Sequence, residues 1–491
     1  MRRAWRVLSV VCLASLMSGL NTSSLNIALP TIVRGLHATG FQASWILLSY
    51  MLTNTVLMVF FGRLADVLGR RQMYLIGVAL FAVASLAAGF SPSAWFLIGC
   101  RVLQAMSGAM LITNSASLVT TAFPRSMLGI GIGIYMSSFS LAQLLGPTLG
   151  GLITDRLGWS WNFWFNVPIA VVCWAWSYLT LERIPRSGEP ARVDLTGNLL
   201  VLLGLGSLLL ALSEVGRLGW TSPWILGGFL VFVAAVPTFV WAEGRSAHPV
   251  VDFAAFSEPV VGFGVIAGFL GTMSRFAVVL LIGLYFQAAQ GDSPSAAGLK
   301  IIPLSIAAII ASPAAGLMLR RCRPHTVAAA STAVSLLGLV ILFAILSPTT
   351  PYWQLVIATV VIGLGAGSFI PANSTGMLET VPYDRVGITN AVRIMSQSSG
   401  VVITTALSLT IISAPLAGAV REDVFQGTLS QVSHSAVESL VVGYRWAIGL
   451  MMLASILCAV TTLAGRQARS DRPGLKRRSV DTAEEGMSEY G

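Results

Sequence analysis

The chain has 491 residues, 55% of them hydrophobic and only 10% charged, with a mean hydropathy of +0.79 and a formal net charge of +10. A soluble domain carries roughly 25% charged residues, so this composition excludes a water-soluble protein and points to a polytopic α-helical membrane protein. The positive charge requires no nucleic acid, because most of the basic residues fall in connectors on one side of the expected membrane.

Apolar stretches long enough to cross about 30 Å of hydrocarbon recur at about 7–29, 42–61, 72–90, 95–121, 128–153, 162–181, 195–213, 223–241, 260–283, 299–319, 326–346, 353–378, 389–413 and 443–464, fourteen in all. The first resembles a signal peptide, with Arg2, Arg3 and Arg6 before an apolar core. No small-residue cleavage site follows, so it reads as a first span running to Pro30. That span carries Asn21 and Asn26, and the second carries Tyr50 and Asn54 one turn apart.

The connector "GRLADVLGRR" (62–71) comes next. Gly62 and Gly69 permit a tight turn, while Asp66 stands among Arg63, Arg70 and Arg71 and can accept charge-assisted hydrogen bonds. In span four, "RVLQAMSGAML" sets Arg101, Gln104 and Gly108 on one helix face, and a cation at that depth is expected to face a cavity or a partner. Span five contains "QLLGPTLGGLI", with Gln143, Gly146, Pro147, Gly150 and Gly151. Its small residues at four-residue spacing suit close helix contact, and Pro147 removes one backbone hydrogen bond. Trp159, Trp161 and Trp164 read as an interfacial aromatic belt.

The polar, proline-bearing stretch 182–194 reads as a linker. The expected organisation is a six-helix bundle over 1–181, that cytoplasmic linker, two inserted helices over 195–241, a second six-helix bundle over 242–465 and a disordered cytoplasmic tail over 466–491. Two further intramembrane charges, Arg275 and Arg393, fall in spans nine and thirteen. The connector "AGLMLRRCRP" (315–324) weakly echoes 62–71, as parallel repeats would. With the N-terminus inside, Arg2, Arg3, Arg6, Arg63, Arg70, Arg71, Arg183, Arg186, Arg245, Arg320, Arg321 and Arg323 are all cytoplasmic, which places both termini there. Five scattered cysteines and four connector histidines form no metal spacing or disulfide framework, and no metal or cofactor is expected.

The loop at 62–71, the span-four pattern and the Gly-Pro-x-x-Gly-Gly run of span five resemble signatures of the major facilitator superfamily. With "ALPTI", "GWSWNFWFNVPIA", "LYFQAAQGDSPSAAGLKIIP" and "GLGAGSFIPA", the chain is similar to the fourteen-helix drug:proton antiporters of the EmrB/QacA-like branch over residues 5 to 465. The resemblance implies that Gly62, Asp66, Gly69, Arg70 and Arg71 form a cytoplasmic gate loop. It also implies that Gly146, Pro147, Gly150 and Gly151 form an exporter helix motif, and that a proton gradient supplies the energy. One departure matters: Asn21 in "NTSSLNIALP" stands where this branch usually has an acid, and no acid lies in the middle of any span. Asn21 lies nine residues before Pro30 and Arg101 nine after Pro92, so each is roughly 13 Å below the outer surface, and the two are expected as neighbours.

The expected function is therefore a secondary transporter, not an enzyme. It would export amphipathic organic compounds by alternating access, with Asn21, Asn26, Tyr50, Asn54, Arg101, Gln104 and Gln143 lining the cavity. Its expected partners are a small-molecule substrate and the bilayer of the plasma membrane, with no nucleic acid, and the chain is expected to be monomeric. A carrier of an anionic metabolite or lipid, favoured by Asn21 and the unpaired arginines, is the first alternative. A non-transporting sensor or scaffold is the second.

Overall fold

The computed structural model describes residues 2–124, 127–182, 195–245, 259–378, 386–416, 421–426 and 434–470; within its helices a few side chains, those of Arg63 and Asp66 among them, lie outside the described set. The described residues form helices and connectors, with no strand. In chain order the helices are α1 (Arg2–Gly35), α2 (Gly40–Leu68), α3 (Arg70–Gly89), α4 (Ala94–Ala122), α5 (Leu128–Leu157), α6 (Trp161–Trp164), α7 (Asn166–Thr180), α8 (Leu195–Leu218), α9 (Pro223–Glu243), α10 (Pro259–Met273), α11 (Ala277–Ala288), α12 (Pro294–Lys300), α13 (Ile302–Met318), α14 (Pro324–Ile345), α15 (Tyr352–Leu378), α16 (Val386–Ser413), α17 (Arg421–Gln426) and α18 (His434–Ser470). A helix satisfies every backbone group within one segment, which lipid demands of any crossing element. Among the described residues, twelve helical segments are long and apolar enough to cross; α2 and α5, of 29 and 30 residues, pack among them without being of that twelve.

Local chemistry sets the ends. Thr39 and Gln42 form a reciprocal capping box that starts α2, and Ser93 caps α4 through the Phe96 amide. Gly69 separates α2 from α3 at φ +95°, a conformation that leaves a side chain strained, so the chain reverses there within one residue.

Helices α1–α7 pack into one half and α10–α18 into another. Helix α8 is wedged between them, with Leu208, Leu209 and Leu212 sharing a cluster with Leu48, Leu52 and Val56 of α2 and Val402 and Ala406 of α16. Trp45 donates to Ser213 at 3.2 Å, and Thr410 to the Leu212 carbonyl at 2.8 Å. Helix α9 leans on α8 and turns an apolar face outward, with Trp224 82% and Leu230 69% exposed, as suits a lipid-facing helix.

The two faces of the bundle differ. On the face away from the termini, here the distal face, one hydrophobic cluster joins both halves, running from Leu25–Val33 of α1 through Leu280–Ala289 to Leu440–Met451. Near the termini the clusters divide. One holds Val7, Tyr74, Phe123 and Leu181, another Phe61, Ala65 and Met110, both within the first half; two more, around Ala328 and Phe369 and around Val261 and Met377, belong to the second. Among the described residues the halves are therefore zipped distally and separate toward the terminal face.

Candidate functional site

The exporter motif of α5 lies in the distal zip. A Cβ at Gly150 would stand 2.6 Å from Ser24 Cβ and 2.7 Å from Ser24 Cα, so α1 and α5 touch backbone to backbone there, and Gly146 meets Ser23 in the same way one turn earlier. Gly151 faces the other half: its Cβ would lie 2.9 Å from the Pro294 carbonyl carbon of α12, and closer still to the oxygen. Reciprocally, a Cβ at Gly298 would lie 2.5 Å from the Pro147 oxygen. Thr148 donates to the Gly298 carbonyl at 3.2 Å, Ser295 donates to the Asp155 carboxylate, and Gln287 donates to the Ile27 carbonyl at 3.1 Å. One glycine-rich stretch thus serves two contacts, one inside its half and one between halves. The sequence signalled the first through its spacing. The second was not legible, because the stretch "DSPSAAGLK" (292–300), though part of the resemblance, does not show which helix it meets.

The polar centre of the first half is built around Arg101, which is only 1% exposed. Its Nε donates to the Ile46 carbonyl at 3.2 Å and its Nη1 to Gln104 Oε1 at 2.9 Å, while Gln104 Nε2 donates to Ser85 at 2.8 Å. The guanidinium carbon lies 4.2 Å from the Tyr50 ring centroid. Asn54 donates to the Ala105 carbonyl at 3.3 Å, and a Cβ at Gly108 would strike Asn54 Nδ2 and Tyr50 Oη. The structure therefore brings together Tyr50, Asn54, Arg101, Gln104 and Gly108, and adds Ser85, which nothing in the sequence singled out. No carboxylate pairs with Arg101 among the described residues. The buried cation is held by a carbonyl, an amide and an aromatic face.

Asn21 does not join this network by a hydrogen bond. It is fully buried, and neither its Oδ1 nor its Nδ2 has a partner. Ile27, which packs on Gly283 of the second half, is about 120° round α1 from Asn21. Val10, within about 20° of Asn21 on the same helix, accepts a hydrogen bond from Tyr74 of α3. Asn21 thus points into its own half, away from the surface that faces the other. Arg101 belongs to that same half, and no hydrogen bond joins the two. Asn26 is buried with its Oδ1 unpartnered, and Gln143 is half-buried beside Gly19.

At the gate loop, the contribution of Asp66 falls outside the described side chains. Gly62 packs loosely on Thr113, and Arg71 donates to the Tyr178 carbonyl at 3.0 Å with its guanidinium 5.2 Å from the Tyr178 ring. Arg71 therefore ties α3 to α7 within one half.

The second half has its own buried cations. Arg275, at the break between α10 and α11, donates to Ser335 at 3.4 Å and stacks 4.1 Å from the Phe369 ring. Arg393 donates to Gln397 at 3.1 Å. Each half thus has a buried guanidinium held over an aromatic ring.

Two packed halves, a zip on one face and buried polar centres within the membrane-crossing helices define a membrane transporter rather than an enzyme. The chain belongs to the Major Facilitator Superfamily, whose family model matches residues 11–244 and 264–485. Among curated proteins it is similar to the multidrug resistance protein Stp of Mycobacterium tuberculosis, at 30% identity over 85% of this chain and 78% of that one. It is also similar to the methylenomycin A resistance protein of Bacillus subtilis (28% identity, 83% and 87%) and to the puromycin resistance protein pur8 of Streptomyces alboniger (28%, 96% and 94%). Among solved structures, a bacterial homologue of the lysosomal transporter Spinster matches with a TM-score of 0.67 at 14% identity, over 95% of this chain and 97% of that one, which shows the shared fold.

Proposed function

We propose that this chain exports amphipathic organic compounds, antibiotics among them, across the plasma membrane by alternating access, driven by the proton gradient. The observation that carries the proposal is the α5 seal. Gly151 and Gly298 let two backbones from opposite halves touch, a contact that closes the distal face and has to break for that face to open. The resistance functions named for the similar proteins support export as the direction. In this reading α2 and α5 bring the crossings to fourteen. The terminal face, with Arg3, Arg6, Arg70, Arg71, Arg320 and Arg321, is cytoplasmic, so the conformation described is inward-open. The chain acts as a monomer in lipid.

The test is ethidium and puromycin uptake into everted membrane vesicles. Accumulation that stops on addition of a protonophore is expected. Vesicles that accumulate neither compound, with the protein present and folded, refute the proposal; accumulation that survives the protonophore refutes its proton-driven part.

A further inference from the structure

Helix α10 carries Gly264, Gly268 and Gly271, spaced so that all three lie on one face. Met377 covers Gly264, and the groups over Gly268 and Gly271 include three hydrogen-bond donors. A Cβ at Gly268 would lie 3.2 Å from Asn373 Nδ2 of α15 and 3.3 Å from Gln397 Nε2 of α16. A Cβ at Gly271 would run into Arg275 Nη2 and stand 2.6 Å from Phe369. The amide orientations follow from their other ends: Asn373 Nδ2 donates to the Gly264 carbonyl at 3.0 Å, and Gln397 Oε1 accepts from Arg393 at 3.1 Å. Gln397 Nε2 and Arg275 Nη2 are buried and have no hydrogen-bond acceptor. Arg275 is 8% exposed, and its remaining neighbours, Ser335, Phe369 and the Cys458 thiol, carry no formal negative charge.

We propose that this face of α10, with Arg275, Asn373 and Gln397, is a binding site for a monovalent anion, either the carboxylate of an exported compound or chloride. The proposal rests on the transport reading only for the first of those sources. Two buried donors with no acceptor, Gln397 Nε2 and Arg275 Nη2, fit an acceptor-only group, since an ionised carboxylate or a halide satisfies several N–H groups at once. A cationic ligand would add donors where donors already lack partners. Gly268 and Gly271 let these donors lie directly against the helix, where any side chain would displace them, and the Arg275 guanidinium supplies the charge.

The experiment compares 1-pyrenebutanoate with 1-pyrenebutanamide, which share an apolar body and differ in charge, in everted vesicles, with ethidium as the transport control. A hydrogen bond to a charged group is worth roughly ten- to a hundredfold in affinity. Gln397→Leu is therefore expected to lower the carboxylate-to-amide ratio of kcat/KM by about tenfold. Gln397→Glu, which places an acceptor where the donor stood, should lower it further. In parallel, the melting temperature of the purified protein in detergent is measured in chloride and in gluconate. A chloride-dependent rise that Gln397→Leu abolishes, with an unchanged pyrene ratio, identifies chloride as the occupant and supports the site. A fall in the ratio identifies the substrate carboxylate. If neither the ratio nor the chloride response depends on Gln397, the site is refuted, even when ethidium transport is normal. If wild-type vesicles move none of the three probes, the export reading fails, while the chloride response still decides the site.

Discussion

Replacing Gly151 by alanine puts a methyl group 2.9 Å from the Pro294 carbonyl carbon and nearer to its oxygen, inside any ordinary carbon–oxygen contact. The obstacle is backbone, so it cannot rotate away, and α5 and α12 have to part. Overpacking of this kind typically costs about 1–3 kcal/mol. Here the cost falls only on the state in which the distal face is closed, because the contact joins the two halves. A shift of about 1.4 kcal/mol changes the closed-to-open ratio tenfold. Gly150→Ala makes an equally tight contact, 2.6 Å from Ser24 Cβ, but both partners belong to the same half and stay together in either state. It should lower thermal stability without changing the open fraction. The assay is labelling of a cysteine placed at Ile27, which is buried in the distal zip, with a membrane-impermeant maleimide from the distal side. About tenfold faster labelling is expected for Gly151→Ala, and an unchanged rate for Gly150→Ala. Equal labelling of the two variants would refute the division of the motif into an internal contact and a seal.

Gln104→Leu removes the acceptor of Arg101 Nη1 and the donor to Ser85, leaving a buried cation short of a partner. It should destabilise the folded protein by about 1–3 kcal/mol, read as a lower melting temperature in detergent, and an unchanged melting temperature would show that Arg101 is held otherwise. Arg71→Ala removes one hydrogen bond and one cation–π contact at a partly exposed site, a loss of about 0.5–1.5 kcal/mol. Its melting temperature should therefore fall less than that of Gln104→Leu, and a larger fall would mean that Arg71 holds more than α7.

Composition and hydropathy were sufficient for the class. Motif spacing was sufficient to set Arg101 and Gln104 on one face and to mark Gly150 for close approach to another helix, because both depend on residues along one helix and the 3.6-residue turn fixes which of them share a face. What was not legible depended on rotation between helices. Ser85, Pro294, Gly298, Asn373 and Gln397 acquire their roles from partners far along the chain, and a lone serine or amide in an apolar span does not announce its neighbour. The glycine face of α10 was not singled out, and its amide donors come from α15 and α16, which the sequence does not place beside it. Depth along the axis was estimated for Asn21 and Arg101, yet depth without azimuth does not establish contact.

Asn21 shows what that rotation implies. An unpartnered buried amide costs about 1–3 kcal/mol relative to a paired one, so Asn21 is destabilising where it stands unless another conformation uses it. Leucine has the same number of side-chain heavy atoms, branched at the same carbon, and none of them is polar. Asn21→Leu should therefore melt no lower than the parent, since it removes two unsatisfied groups and leaves no cavity. Asn21→Asp restores the acid that the resemblance leads one to expect, but it places a carboxylate where the present side chain finds no hydrogen-bond partner. Taking an unpaired ion out of water costs several kcal/mol, so the aspartate form should melt well below the leucine form unless Arg101 leaves Gln104 to meet it. That exchange breaks the bond between Arg101 and Gln104 and gains an ion pair worth up to roughly 4 kcal/mol at 4 Å and an effective dielectric near 20. The two outcomes separate in a double-mutant cycle of Asn21→Asp with Arg101→Met. Additive losses mean the carboxylate and the guanidinium do not meet in this fold. A coupling above about 1 kcal/mol means α1 turns to bring them together, and Asn21 then faces Arg101 in a state other than the distally closed one.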